Sequence, residues 1–423
     1  RLLAVCFRVY SHTYVHMHSS FLMPAWPAFL CGLIAQLLGR GRAVELRFGR
    51  AYDDFRSQYG RGDASDPKEY SKRLMLFHRR LSAVQQINSQ QGSWKAEINQ
   101  FADYTDEEFR SLLGHRPSHG GGAAFLQLRS SVVQSSIRKS HWSSLADQLQ
   151  RFTDLLSSSP LPGLPATVDW RSKLNSSEFV KEQGTCGSCW ALAAVGALEM
   201  HAEINANKVP QELSAKQLLD CVENPKHCGG RGGCDGANSE LAFEYVRLHG
   251  LHASRSYGGD VNKQGTCSQG SNQPYVQLQG FSRLQPNNLH ELLQAVAKKG
   301  PVVVGVDASR WDLYGHGIFD GCDPDATVNH AVVLVGYGQD ILGRTYWLLR
   351  NSWGRDWGED GYMRILRHAS DRGDVGHCGV DRKPQEGVWC EGGVPEVPVC
   401  GMCGILSDAA HPETVAISDA ESW

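Results

Sequence analysis

Thirteen cysteines in a 423-residue chain constrain this sequence more than any other feature. Reducing compartments seldom keep so many bare thiols, so the chain reads as one that folds where disulfides form or where metal is bound. The number is odd. Either one thiol is left over for chemistry or the count conceals metal ligands. The remaining composition is ordinary: 41% apolar, 21% charged and a formal charge of -3, which excludes a disordered or collagen-like chain. No basic field is present to collect phosphates, so no nucleic-acid partner is expected.

The oxidising compartment is supported by the start of the chain. Residues 21–38 read FLMPAWPAFLCGLIAQLL and are followed by Gly39, Arg40, Gly41, Arg42 and Ala43, the pattern of a signal-peptide core with a small-residue exit. The sequence opens at Arg1, so Met17 or Met23 is a candidate start. An uncleaved anchor is the alternative, but Pro24 and Pro27 interrupt the run. We therefore assign residues 1–43 to targeting.

Residues 45–113 place Tyr70, Leu74, Phe77, Leu81 and Val84 at helical spacing, which predicts two amphipathic helices. Residues 114–163 contain SHGGG and SSSPLPGLP, the composition of an exposed, easily cut connector. From residue 164 onward a compact domain is expected, helical in its first half and strand-rich in its second. Ser214–Gln217 and Asn288–Glu291 have capping-box spacing, and PVVVGV, AVVLVGYG, TYWLLR and GYMRILR read as strands. Residues 367–402 are rich in Gly and Pro and read as a cysteine-stapled loop.

Chemistry concentrates at three points. The first is Gln183-Gly-Thr-Cys186-Gly-Ser-Cys189-Trp190, followed by a small-residue helix beginning at Cys189. A thiol at a helix N-terminus meets the positive end of the macrodipole, which favours thiolate. A thioredoxin-like CxxC pair, or half of a zinc site completed by Cys400 and Cys403, would use the same spacing. The second point is Asn329-His330-Ala331 at the mouth of an apolar strand, and the third is NSWG, where Asn351 can hold an imidazole tautomer and Trp353 can shield that bond from water.

Cysteine, then histidine 141 positions later, then asparagine 21 positions after that, is the order found in papain-like enzymes. Gln183, CGSCW, NHAV, VGYG and NSWG resemble the papain (cathepsin L-like) cysteine peptidases. Residues 45–113 are similar to that family's inhibitory propeptide: Glu69, Arg73, Phe77 and Asn88 fit its helical motif, with Arg80 and Val84 substituting for Asn and Ile. Asn99, Phe101 and Asp103 fit a second motif, in which Glu97 stands where Gly is common. The resemblance implies an α+β, two-lobed fold and an enzyme needing no metal or cofactor. Cys189 would be the nucleophile, His330 its base, Asn351 the orienting residue, and Gln183 with the Cys189 N–H the oxyanion hole.

It further implies that Gly187, Gly236 and Ala237 line a wall for an extended peptide, Ala237 replacing a usual glycine. Gly305 and Ala331 should line the pocket for the second residue before the cut (P2). Of two candidates for the closing strand, at Cys378 and at Cys403, the second gives the longer match and places Asp408 at the pocket base, where it would attract Lys or Arg. The implied disulfides are Cys186–Cys234, Cys221–Cys267 and Cys322–Cys403. Cys228, Cys378, Cys390 and Cys400 then permit three pairings. Asn175-Ser-Ser177 is a glycosylation sequon on an expected surface loop.

The reading is thus a zymogen of a monomeric cysteine endopeptidase in the secretory pathway, in an acidic vacuolar or lysosome-like compartment or outside the cell. Its partners would be peptide and protein substrates and its own propeptide, with no stable membrane association once the signal is removed. An exopeptidase of the same family and an inactive peptidase-like binding protein are the alternatives.

Overall fold

The computed structural model describes residues 49–62, 66–113, 163–268, 273–368 and 377–418. The targeting segment and the connector lie outside the described residues. The chain divides into two compact units, residues 1–79 and 80–423. This boundary falls inside a helix rather than at the expected end of the propeptide near residue 113.

In the first unit, helical backbone over 49–58 is followed by the start of α1 (Pro67–Ser89). The buried rings of Tyr52, Phe55 and Phe77 hold these helices together, with Phe55 and Phe77 centroids 5.0 Å apart. Glu69 and Arg73, one helical turn apart on α1, are joined at 2.6 Å.

The second unit begins with the rest of α1. There the Asn88 amide clasps Ala96, donating to its carbonyl and accepting its N–H, both at 2.8 Å. Strand β1 (Trp94–Ala96) and helix α2 (Asp106–Leu112) follow, so the described residues of 45–113 hold three helices and a strand, not two helices. Helix α2 starts with a full capping box between Thr105 and Glu108.

Two cores define the peptidase lobes. The first surrounds α3 (Cys189–Ala206), buried on nearly every face because its residues are mostly small or apolar, with the buried Glu199, His201 and Glu203 each held by a polar partner. Against it pack α4 (Ala215–Cys221) and α5 (Ser239–His249), capped by Ser214 and Asn238. The second lobe is a mixed sheet of β2 (Val168–Asp169), β3 (Val276–Arg283), β4 (Val302–Val306), β5 (Tyr314–Phe319), β6 (His330–Gln339), β7 (Thr345–Arg350), β8 (Tyr362–Leu366) and β11 (Ala409–Ile417). Its order is β1-β5-β8-β7-β6-β4-β11-β3, with β2 on β6. Strand β1 thus extends the peptidase sheet, pairing antiparallel with β5. Helix α6 (Leu289–Lys298), capped by Asn288, packs on the barrel core.

The closing strand is β11, immediately after Cys403, which is bridged to Cys322. The preceding cysteine-rich stretch is a separate two-stranded ribbon, β9 (Cys378–Asp381) with β10 (Val397–Cys400), its ends joined by Cys378–Cys400. Cys186–Cys234, Cys221–Cys267 and Cys228–Cys390 complete the bridges. Among the described residues, Cys189 is the free cysteine. The CxxC spacing therefore closes no redox pair, and Cys400 and Cys403 belong to two different disulfides rather than to one metal site.

Candidate active site

Cys189 is placed by the start of α3, and His330 by the start of β6. The sulfur faces the backbone N–H of Ala331, the residue after His330. Asn351, just past the end of β7, accepts from His330 Nε2 at 2.8 Å. The same oxygen accepts the Ser352 backbone N–H at 2.8 Å, which identifies it as the carbonyl end of the amide. His330 therefore carries its proton on Nε2, and Nδ1 presents a lone pair. That nitrogen is buried, with no hydrogen-bond partner among the described residues. The Trp353 ring lies 5.0 Å from the imidazole, centroid to centroid, and covers the His330–Asn351 bond.

Gln183 is fully buried and oriented by its own oxygen, which accepts from Ser352 Oγ at 2.8 Å and from Trp353 Nε1 at 3.1 Å. Its amide nitrogen is thereby aimed at the cleft. It donates to the Cys186 carbonyl at 2.9 Å and to the carbonyl of Leu112, at the end of α2, at 2.7 Å. Phe101 and Phe109 place their edges against Trp353, with centroids 5.1 and 5.5 Å away, and the Gln100 side chain donates to the Trp353 carbonyl at 2.6 Å. Asn99 accepts the Phe101 N–H at 3.1 Å, and Asp103 is buried beside them. Residues 99–113 thus lie over the site.

This cover changes the electrostatics. The helix terminus alone predicts a lowered thiol pKa, yet burial pushes Cys189 up to about 11 and His330 down to about 4. Desolvation outweighs the macrodipole and both groups are held neutral. Arg80, the departure from the helical motif, is 2% exposed and ion-paired through Nε to Asp312 at 3.3 Å. It also lies 3.7 Å from Asp106. Val84 is half-buried, and Glu97 meets His316 at 2.9 Å on the surface.

Of the residues expected to form the peptide wall, the Gly187 N–H donates to the Cys234 carbonyl at 3.1 Å, and Gly236 and Ala237 are both buried. Opposite it, Gly305 and Ala331 are register partners on β4 and β6 and share a pocket with Asp408. A side chain at Gly305 would stand 2.9 Å from the Asp408 carboxylate, so the glycine leaves that group its space. Two further residues line the pocket, Glu240 from α5 and Val388 from the ribbon insertion. Arg283 pairs with Glu240 at 3.2 Å. Burial, reinforced by the Glu240 carboxylate and opposed by Arg283, pushes Asp408 up to about 8. Asn175 is exposed at the start of a 3-10 turn whose Ser176 and Ser177 are buried, and its backbone and side-chain N–H groups meet Glu203.

A family model described as papain family cysteine protease matches residues 164–388, and one described as cathepsin propeptide inhibitor domain (I29) matches residues 52–109. The chain belongs to the papain family of cysteine proteases. The senescence-specific cysteine protease SAG12 of Arabidopsis thaliana is 33% identical over 352 residues, covering 82% of this chain and 92% of the relative. Vignain of Vigna mungo is 34% identical over 316 residues, 74% and 78% respectively. Among solved structures, digestive procathepsin L2 of Tenebrio molitor superposes with a TM-score of 0.63 at 27% identity, covering 87% of this chain and all of that one. The chain is thus a papain-family thiol protease with its propeptide, a zymogen of α+β fold. Among the described residues no helix is long and apolar enough to cross a membrane.

Proposed function

We propose that Cys189, His330, Asn351 and Gln183 form the catalytic machinery and that the described conformation is its latent state. The observation that carries this reading is the Gln183–Leu112 hydrogen bond, because it puts a propeptide carbonyl on the donor meant for the reacting oxygen. Once the propeptide leaves, water and substrate dipoles return to Cys189. The α3 terminus then favours thiolate, and His330 Nδ1 can take the thiol proton. Thiolate attack on the scissile carbonyl gives a tetrahedral oxyanion held by the Gln183 amide and the Cys189 N–H. Collapse expels the amine, protonated by His330, and leaves a thioester that water hydrolyses.

The pocket of Gly305, Ala331, Glu240 and Asp408 supports a preference for Lys or Arg at P2. Release would follow cutting in residues 114–163, giving a mature enzyme from about residue 164, in an acidic or extracellular compartment reached through the targeting segment 1–43. The open-cleft endopeptidase expected from sequence depends on a substrate path clear of the ribbon insertion. The test is labelling by an epoxide inhibitor before and after maturation: a mature protein that takes up label at Cys189 and cleaves peptides supports the reading, whereas a matured protein that remains unlabelled is a binding protein.

A further inference from the structure

The insertion between β8 and β11 does more than form a ribbon. Its segment 387–391 leaves the barrel lobe, reaches the helical lobe and is fixed at both ends. On the barrel side the Val388 N–H donates to the Val328 carbonyl at 2.8 Å, two residues before His330. Gly387 lies so close to that carbonyl that an added Cβ would fall 1.9 Å from it. On the helical side the Trp389 carbonyl accepts the Gly229 N–H at 3.1 Å, and the Glu391 N–H donates to the Lys226 carbonyl at 3.2 Å. The Cys228–Cys390 disulfide and a His227–Glu391 contact at 2.8 Å complete the join. Gly229 in turn is packed on the peptide wall, where a Cβ would stand 2.5 Å from the Ala237 carbonyl.

Consecutive residues, Val388 and Trp389, therefore bond to opposite walls of the cleft. Adjacent Cα atoms are about 3.8 Å apart, while an extended peptide needs about 4.7 Å to lie beside even one neighbouring strand. No second chain passes between those walls at that level. Val388 lines the P2 pocket itself, so the crossing comes directly after the second residue of a bound substrate. We propose that this disulfide-locked strap ends the substrate cleft at P2 and makes the enzyme a dipeptidyl aminopeptidase, releasing N-terminal dipeptides with Lys or Arg second from the scissile bond. The proposal rests on the peptidase reading above and replaces its open-cleft form.

The test uses enzyme matured from the full chain and two fluorogenic substrates: Arg-Arg-coumarylamide with a free amino terminus, and the same dipeptide extended by four N-terminal residues. The wild type should show a kcat/KM at least 30-fold lower on the extended substrate. The double variant Cys228→Ser/Cys390→Ser should regain most of that difference while changing the dipeptide rate less than threefold. Mass spectrometry of a twelve-residue peptide with Arg at its first, third and fifth positions supplies a readout that needs no variant: a ladder of successive dipeptide losses supports the strap. Equal rates on both substrates, or an internal fragment as first product, overturn the strap and leave the peptidase reading standing. Wild-type discrimination that persists in a double variant still active on the dipeptide overturns the strap as its cause. Hydrolysis of neither substrate overturns the peptidase reading and the proposal with it.

Discussion

The side-chain amide of Gln183 donates to the backbone carbonyl of Leu112 at 2.7 Å, and this single bond occupies the electrophilic end of the site with the chain's own propeptide. In the proposed mechanism it ties latency and catalysis to one donor. Replacing Gln183 by Ala should lower kcat of the mature enzyme about 10²–10³-fold, the usual loss for one oxyanion donor. The same change should weaken inhibition by added propeptide 45–113. Steady-state kinetics with and without that peptide check both; a lower kcat with an unaltered inhibition constant would separate the two roles.

The zymogen should open on the acid side. His330 is held at about 4 against an ordinary value of 6.5, so the uncovered form binds the extra proton. Stability of the closed state from this group is complete above pH 6.5 and is lost as pH falls toward 4, up to about 3 kcal/mol. Cys189, raised to about 11, acts in the opposite direction, weakening closure as pH rises through the lower pKa of the uncovered thiol. Propeptide release monitored by limited proteolysis should therefore accelerate between pH 6.5 and 4. Alkylation of Cys189 in the intact zymogen should stay slow throughout pH 5–9.

Preference at P2 should depend on pH in the other direction. Asp408 ionises near 8, so the ratio of Arg-Arg to Phe-Arg hydrolysis should climb between pH 6 and 9. In Asp408→Asn the ratio should be lower and flat. An unchanged ratio in that variant removes Asp408 from the specificity.

Arg80 should be a principal anchor of the propeptide. Removing Asp312 would leave a buried guanidinium short of its nearer carboxylate, a loss of about 3–5 kcal/mol for pairs of this kind. Asp312→Ala in the mature enzyme should raise the inhibition constant of added propeptide at least 100-fold without altering kcat/KM on a dipeptide substrate. Arg80→Met in the peptide should recover part of the affinity toward Asp312→Ala, since two uncharged partners leave no stranded charge.

The catalytic candidates were legible because each sits in a short motif whose neighbours also carry function: Cys189 follows Gln183 by six positions, and Asn351 precedes Trp353 by two. The helix at Cys189 and the apolar strands followed from their patterns. Strand β5 did not, since YGHGIF carries two glycines and an exposed histidine, and β11 contains Pro412 and Glu413. Helix α2 had a readable signal in Thr105–Glu108, which spacing across the longer stretch obscured. Glu240 and Val388 were invisible as pocket residues. They are 148 positions apart in the chain, and only the packing of α5 and the ribbon against β4 brings them together. Arg80 looked like a loss because its partner, Asp312, lies in the peptidase and not in the motif.

Strand β11 comes after every other strand of its sheet in the chain yet lies inside it, between β4 and β3. During translation the barrel cannot close around a strand that is still in the ribosome, and Cys228 must wait 162 residues for Cys390. Cys186–Cys234 and Cys221–Cys267 can close as the helical lobe emerges, but Cys228 and Cys322 stay without their partners until Cys390 and Cys403 are made. A stop codon at position 409 would yield not a trimmed enzyme but a chain lacking the strand that follows Asp408 and completes the sheet. For this protein, quality control in the cell must judge the barrel after β11 has emerged rather than strand by strand as it appears.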